Sequence, residues 1–130
     1  MEPTVSYEPM TYPVDARGLV VEPIGADRLP DQRNVHLVIT EPGCIRGNHY
    51  HRRGSEITVA FGPALFRYRS GDAVEDVVIP EGQVYRFMIP AGIAHAFKNI
   101  GQSPIILIGF NTEAHNPEAP DVVRDVLIEG

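Results

Sequence analysis

The sequence predicts an all-β fold, a sandwich or barrel of short antiparallel strands. Short apolar runs alternate with turn-forming residues from residue 18 onward, and strands at such close, regular spacing are typical of antiparallel sandwiches and barrels. A convincing helical period is missing until residues 120–128, which could form a short helix or a last strand. The length of 130 residues fits one domain.

About nine segments have the composition of strands. In chain order they are residues 19–21, 35–39, 45–47, 57–61, 64–69, 73–79, 83–89, 94–99 and 105–110. The breaks between them contain turn pairs such as Pro42-Gly43 and Gly71-Asp72. Residues 1–14 contain several prolines and predict an extended arm that either lies on the barrel or crosses to a partner subunit. The domain itself is predicted to cover residues 15–130.

Composition and charge exclude several classes of function. With 43% apolar and 22% charged residues, the chain can build a packed core. A net charge of −6 argues against nucleic acid as a partner. Apolar runs fall short of the ~18 residues that a membrane span needs, and the start lacks a secretory signal, so we expect a cytoplasmic protein without a membrane partner. The single cysteine, Cys44, is expected to be a small packed side chain.

The central segment places two histidines and a glutamate at a spacing that suits a metal ion. Side chains alternate between the faces of a strand, so His49 and His51 project from one face, about 6–7 Å apart at the backbone. Residues 52–55 have the length of a hairpin loop, which predicts that Glu56 lies opposite His51, and Thr58 opposite His49, on the neighbouring strand. Two imidazoles and a carboxylate suit Zn, Fe, Mn, Ni or Co.

A second segment supplies a third imidazole. Pro90 and Gly92 form a turn before a strand that carries His95, which could approach the first group from the opposite side of a barrel. A lone histidine in a half-buried strand is more often structural than a ligand. Three histidines and a glutamate favour a metal ion, because burial without one would leave these groups poorly paired. We expect His36 and His115, which have no such partners, to be structural or solvated.

These residues resemble the two sequence motifs of the cupin family. The first is similar to Gly43…His49-x-His51…Glu56…Gly62, and the second to Pro90-x-Gly92-x-x-His95-x-x-x-Asn99. Cupins are conical antiparallel β-barrels of the jelly-roll type, in which the two motifs supply three His and one Glu to a metal ion at the barrel mouth. The resemblance therefore implies a single-domain cupin with one divalent metal ion, Zn being the first choice and Fe, Mn, Ni or Co the alternatives. Its ligands would be His49, His51, Glu56 and His95.

Residues 15–18, 46–51 and 117–121 resemble the sugar-nucleotide, RmlC-like branch of the cupins. The similarity extends over residues 15–128 and is strongest to the C-terminal metal-binding cupin domain of CapF-type sugar-nucleotide epimerases. It is more distant to dTDP-4-dehydrorhamnose 3,5-epimerases and dTDP-sugar 3,4-ketoisomerases. The rhamnose-pathway epimerases use a metal-free histidine as base at the position that matches His49, but with His51 and Glu56 present, His49 resembles a ligand.

Three functions are open at this stage. The resemblance implies an epimerase or isomerase that removes a proton next to the ketone of a keto-sugar nucleotide, with an ion polarising the ketone. Its catalytic base is not identifiable, and Arg46 and Arg67 are expected to contact the diphosphate. The alternatives are an iron-dependent small-molecule oxygenase and a non-catalytic metal- or ligand-binding cupin. The expected partners are a small-molecule substrate and a second copy of the chain in a homodimer.

Overall fold

The computed structural model describes residues 3–130, and that range contains twelve strands and one 3-10 turn, Leu29–Asp31. The strands are β1 (Ser6–Pro9), β2 (Val14–Asp15), β3 (Gly18–Leu19), β4 (Asn34–Thr40), β5 (Ile45–His51), β6 (Glu56–Phe61), β7 (Ala64–Ser70), β8 (Ala73–Ile79), β9 (Val84–Ile89), β10 (His95–Asn99), β11 (Ile105–Asn111) and β12 (Val122–Arg124). The predicted all-β, antiparallel jelly-roll fold is confirmed. Within the described range, the structure has no helix long and apolar enough to span a membrane.

The strands form two five-stranded antiparallel sheets that face each other. The first sheet has the order β1-β9-β6-β11-β4, and the second has the order β12-β5-β10-β7-β8. From β4 onward the chain changes sheet at nearly every connection, which is the jelly-roll pattern. The remaining strands, β2 and β3, pair only with each other among the described residues.

The change of sheet overturns one prediction about the site. Strands β5 and β6 belong to different sheets, so residues 52–55 connect the two sheets and do not form a hairpin loop. Glu56 therefore does not pair with His51, which lies opposite Val122 on β12. A short polar loop joins two strands equally well within one sheet or between two, so sequence spacing could not distinguish the two cases.

Both ends of the described chain take part in the sheets. Strand β1, in the predicted N-terminal arm, pairs with β9 of the same chain, and Val5 is buried in the core. The first two residues of the arm lie outside the described residues. At the other end, Val122–Arg124 forms β12 against β5, which selects the strand over the helix for residues 120–128.

An aromatic core fills one end of the barrel interior. Phe66, Phe87 and Phe97 come from both sheets and are at most 3% exposed. The ring centroid of Phe66 lies 4.2 Å from that of Phe87 and 4.7 Å from that of Phe97. Tilted contacts at these distances are favourable beyond simple burial. The far side of this core meets the imidazole of His95, whose ring centroid lies 6.3 Å from that of Phe66.

Candidate metal centre

The four predicted metal ligands converge at the other end of the barrel interior. His49 and His51 come from β5, His95 from the adjacent β10, and Glu56 from β6 of the opposite sheet. Each offers one ligand atom, and these atoms all lie within 4.8 Å of one another. Metal–ligand distances of about 2.0–2.2 Å allow ligand atoms to be separated by up to ~4.4 Å when they lie opposite each other. The cluster therefore needs only a small contraction to hold one ion.

A β-bulge in β5 sets the direction of the side chains near the cluster. His49 pairs with His95, but the next pair along β10 joins Ala96 to Gly47, so Asn48 is the extra residue. Gly47 and Asn48 have φ values of 89° and 58°, in the region that glycine and asparagine tolerate best. A Cβ on Gly47 would lie 2.8 Å from the carbonyl oxygen of His95. The position therefore requires glycine.

The bulge also brings Arg46 to the inner face. Without the extra residue, Arg46 and His49 would point to opposite faces, because they are an odd number of positions apart. In the structure Arg46 pairs with the buried Phe97, and both line the same cavity as His49. Asn48 secures the bulge, since its Oδ1 accepts the N–H of Leu127 at 2.9 Å and its Nδ2 donates to the carbonyl of Ile128 at 2.9 Å.

Glu56 is held as a carboxylate by three neighbours. Its Oε1 lies 2.9 Å from His51 Nε2, and its Oε2 accepts the hydroxyl proton of Thr58 at 2.5 Å and lies 3.4 Å from His95 Nε2. Burial alone would raise the pKa of Glu56, but the charge of His95 and the hydrogen bonds from His51 and Thr58 lower it well below its ordinary value. The carboxylate is thus available as an anionic ligand.

His95 has the tautomer that a metal ligand needs. Its Nδ1 lies 2.9 Å from the carbonyl oxygen of Ile93, and a carbonyl only accepts, so Nδ1 carries the proton and Nε2 keeps a lone pair when the ring is neutral. The side chain is 2% exposed, and Nε2 has no hydrogen-bond partner among the described residues. Two lone-pair atoms, His95 Nε2 and Glu56 Oε2, therefore face each other across 3.4 Å.

A cation would satisfy both atoms, and a proton on His95 is the metal-free alternative. Burial lowers the pKa of His95, but the Glu56 carboxylate and the Ile93 carbonyl outweigh it and raise the pKa overall. His49 behaves differently, since burial and the neighbouring His95 lower its pKa from 6.5 to about 4. At neutral pH His49 is therefore an uncharged imidazole. The donor set of neutral imidazole and carboxylate fits a borderline divalent ion.

Asp121 anchors the connection that joins two of the ligands. Its carboxylate accepts the N–H of Arg53 at 2.9 Å and the N–H of Gly54 at 2.8 Å. The same carboxylate lies 3.8 Å from Nδ1 of His51, on the ring edge opposite the Glu56 contact. Asp121 thus fixes the chain between His51 and Glu56 and places negative charge beside His51, a contribution that sequence analysis missed.

A cavity of about 560 Å³ surrounds the cluster, a size typical of small-molecule sites. The cavity lining includes Arg46, His36 and His115. Both histidines are exposed, which agrees with the expectation that they are solvated, and their place in the lining puts them within reach of a cavity ligand. Arg46 is exposed at the rim, where it donates to the carbonyl of Ile39 at 2.9 Å and to the hydroxyl of Thr40 at 3.3 Å.

Arg67 lies outside this cavity. Its position on β7 points outward, and its guanidinium donates two hydrogen bonds to Asp76, at 2.7 and 3.0 Å. The expectation that Arg67 contacts a diphosphate stays a prediction that this geometry does not favour, since Arg67 lies on the opposite face of β7 from the buried Phe66. Cys44 is exposed, so the expectation that it is a small packed side chain is wrong.

Comparisons with known proteins find a matching family and a relative that are both named for polysaccharide biosynthesis. A family model described as "Polysaccharide biosynthesis C-terminal domain" matches residues 13–123. The spore coat polysaccharide biosynthesis protein SpsL of Bacillus subtilis is 30% identical over 91 residues, which cover 64% of this chain and 60% of that protein. The chain therefore spans less than two thirds of this relative.

Three solved structures have a similar fold. The capsular polysaccharide assembling protein CapF of Staphylococcus aureus is 25% identical with a TM-score of 0.68, over 94% of this chain and 34% of that one. The sugar 3,4-ketoisomerase QdtA of Thermoanaerobacterium thermosaccharolyticum, in complex with TDP, is 16% identical with a TM-score of 0.74, over 96% and 90%. The rmlC epimerase of Mycobacterium tuberculosis is 20% identical with a TM-score of 0.68, over 89% and 66%.

Proposed function

Because the chain belongs to the polysaccharide biosynthesis C-terminal domain family, we propose that it is a metal-dependent epimerase or isomerase acting next to the ketone of a keto-sugar nucleotide. The observation that carries the proposal is the convergence of three imidazoles and one carboxylate in a cavity of substrate size. The ligands would be His49, His51, Glu56 and His95, with Zn as the first candidate and Fe, Mn, Ni or Co as alternatives.

The bound ion would supply Lewis-acid polarisation of the ketone oxygen, which makes the neighbouring C–H more acidic and is worth several kcal/mol. The chain's own residues position the substrate. The buried side chains of Phe97 and Leu107 form an apolar inner wall of the cavity, against which the sugar ring would pack. Arg46 at the rim uses two bonds to hold Ile39 and Thr40, and its remaining donors are free to bind the diphosphate oxygens.

One relative supports the substrate class. QdtA is a sugar 3,4-ketoisomerase with TDP bound in its structure, and a nucleoside diphosphate is the group that Arg46 is proposed to bind at the rim of the cavity.

Solvent deuterium exchange tests the proposal. Metal-loaded protein is incubated in D₂O with a panel of 4-keto-6-deoxy UDP- and dTDP-sugars, and NMR follows the protons flanking the ketone. We expect at least one sugar to exchange well above the buffer rate. Arg46→Ala should raise KM with the metal still bound, whereas Arg67→Ala, which removes an arginine of the outer surface, should leave the kinetics unchanged.

Failure of the whole panel would contradict the epimerase proposal. If the metal-loaded protein instead consumes O₂ together with another small molecule, the iron-dependent oxygenase takes its place. Equal KM values for the Arg46 and Arg67 variants would leave the reaction intact but remove the proposed role of Arg46.

A homodimer is part of this proposal, and an apolar face on β4 supports it. The outward side chains of this edge strand, Val35, Leu37 and Ile39, are 62%, 61% and 47% exposed. A contiguous apolar strip on an unpaired edge favours association with a second copy. Light scattering at micromolar concentration should report twice the chain mass, and Leu37→Lys should shift the protein toward monomer. A wild-type monomer would contradict the proposal.

A further inference from the structure

The cavity contains a fourth histidine, His36, that is not part of the metal cluster. It lies on β4, and its side chain points inward together with Asn34, while the neighbouring Val35 and Leu37 point outward. His36 pairs with Gly109 on β11, and Gly109 pairs with Thr58 on β6. These residues form one row across the sheet, beside the row that contains Glu56.

Glycine at position 109 allows the imidazole of His36 to lie across the sheet toward the cluster. Neighbouring strands are about 4.8 Å apart, so the backbone of His36 lies ~10 Å from that of Thr58. A Cβ on Gly109 would lie 2.9 Å from Nε2 of His36 and 3.0 Å from its Cε1. The ring therefore occupies the space above Gly109 that any other residue would fill, and it extends from the edge strand toward the metal centre.

The hydrogen bond of His36 sets its tautomer. Nδ1 lies 3.1 Å from Oδ1 of Asn34, and an amide oxygen can only accept, so Nδ1 donates its proton and Nε2 of the neutral ring carries a lone pair. The atom that lies over Gly109 toward the cavity interior is thus a proton acceptor.

The other titratable groups of the cavity are less suited to take a proton. The four cluster residues are committed as ligands, and the Asp121 carboxylate already accepts two backbone N–H groups. Glu113 lies 3.9 Å from Arg53 in an ion pair. His115 and His36 are both exposed, but His115 belongs to the connection between β11 and β12, whereas His36 is held on a strand and by its hydrogen bond to Asn34.

We infer that His36 is the general base of the reaction. This inference rests on the proposed isomerase function and goes beyond it by assigning the group that moves the proton. The C–H bond next to the ketone breaks, its electron pair moves toward the carbonyl oxygen, and the proton passes to Nε2 of His36. Return of a proton from His36 to the same carbon regenerates the substrate and gives the exchange seen in D₂O. Its delivery to the neighbouring carbon of the enediol, with the hydroxyl proton moving to the former ketone oxygen, completes an isomerisation without net gain or loss of protons. An epimerisation needs the proton to arrive on the opposite face of the enolate, from water, while His36 passes its proton to solvent. A positioned base of this kind contributes ~10²–10⁴-fold to rate.

The test uses His36→Asn, with His36→Gln as a second variant, on whichever sugar the wild type exchanges in D₂O. We expect kcat for exchange to fall at least ~100-fold with KM, metal content and melting temperature close to wild type. Val74→Asn, an exposed site on the outer strand β8, is the control for introducing asparagine. His36→Ala should regain part of the lost rate when free imidazole is added, which a purely structural role would not produce.

Two results would overturn the inference while leaving the proposed function standing. The first is a wild type that exchanges a sugar together with a His36→Asn variant whose kcat is within about threefold of it. The second is a variant whose KM rises with kcat unchanged, which would make His36 a binding residue. A wild type that exchanges no sugar overturns the proposed function itself, so the two failures are distinguishable.

Discussion

Strands β6 and β10 each pass from a polar end of the barrel interior to an apolar one within a few residues. On β10, His95 and Phe97 are 1% and 3% exposed, so the two side chains are buried to the same degree on the same face. The side chain of Phe97 has no polar atom, so packing against other rings is sufficient for it. Nε2 of His95, in contrast, has no hydrogen-bond partner among residues 3–130. The comparison shows that burial alone does not separate core from site, and that the hydrogen-bonding state of the buried side chain has to be considered as well.

The largest expected effect is a loss of stability on changing the apolar end of the barrel interior. Ile79 is fully buried in the cluster that contains the three phenylalanines, so Ile79→Ala should reduce the free energy of unfolding by about 2–5 kcal/mol through lost burial and a cavity. Chemical denaturation measures this loss, and metal analysis of the folded fraction should match wild type. A large loss of metal per folded chain would mean that metal binding at the polar end of the barrel interior depends on packing at the apolar end.

At the polar end of the barrel interior, we expect the carboxylate of Glu56 to contribute most to metal affinity. Glu56→Gln removes the only carboxylate among the four candidate ligands but keeps the size of the side chain. It should weaken metal binding by more than the ~10–100-fold loss that is typical when a residue supporting a metal ligand is changed. Competition with a chromogenic chelator measures the affinity. The same variant should unfold with much less loss of stability than Ile79→Ala in the metal-free state, and the reverse order would contradict the comparison.

The sequence was sufficient to predict much of this architecture, because strand breaks and the two motifs depend on local patterns. The sequence could not reveal which face of a strand a side chain points to after a bulge, or which sheet a loop leads to. The bulge at Asn48 brings Arg46 inward, whereas Arg67 faces outward to Asp76. The alternation on β4 was visible, but polar residues such as His36 occupy the inner face, because this end of the interior is a cavity and not a core.

A smaller effect on metal affinity is expected from Asp121, which lies beside Nδ1 of His51. Asp121→Asn should weaken metal affinity about 10–100-fold, because it removes charge beside His51 and replaces one of the two acceptors that hold Arg53 and Gly54. Asp76→Asn is the matched control, since it makes the same chemical change in an ion pair with Arg67 on the outer surface. Equal metal affinities for the two variants would remove the supporting role of Asp121.

The smallest effect concerns the metal-free protein in acid. The pKa of His49 is about 4 in the folded chain and 6.5 ordinarily, so between these pH values the unfolded chain takes up a proton that the folded chain does not. The contribution of His49 to the free energy of unfolding is therefore fully present above pH 6.5 and is lost as the pH falls toward 4. In chelator, the melting temperature of wild type should fall more steeply across this window than that of His49→Gln. Parallel curves would show that His49 is not desolvated.

The central claim is that His49, His51, Glu56 and His95 hold one divalent ion, and elemental analysis of the purified protein tests it most directly. Protein expressed in metal-replete medium and dialysed without chelator should contain about one ion per chain, while His51→Ala contains far less and melts at a lower temperature, since a ligand that binds only the folded state stabilises it. A wild type with no stoichiometric metal, and with a melting temperature that added Zn, Fe, Mn, Ni or Co does not change, would contradict the claim.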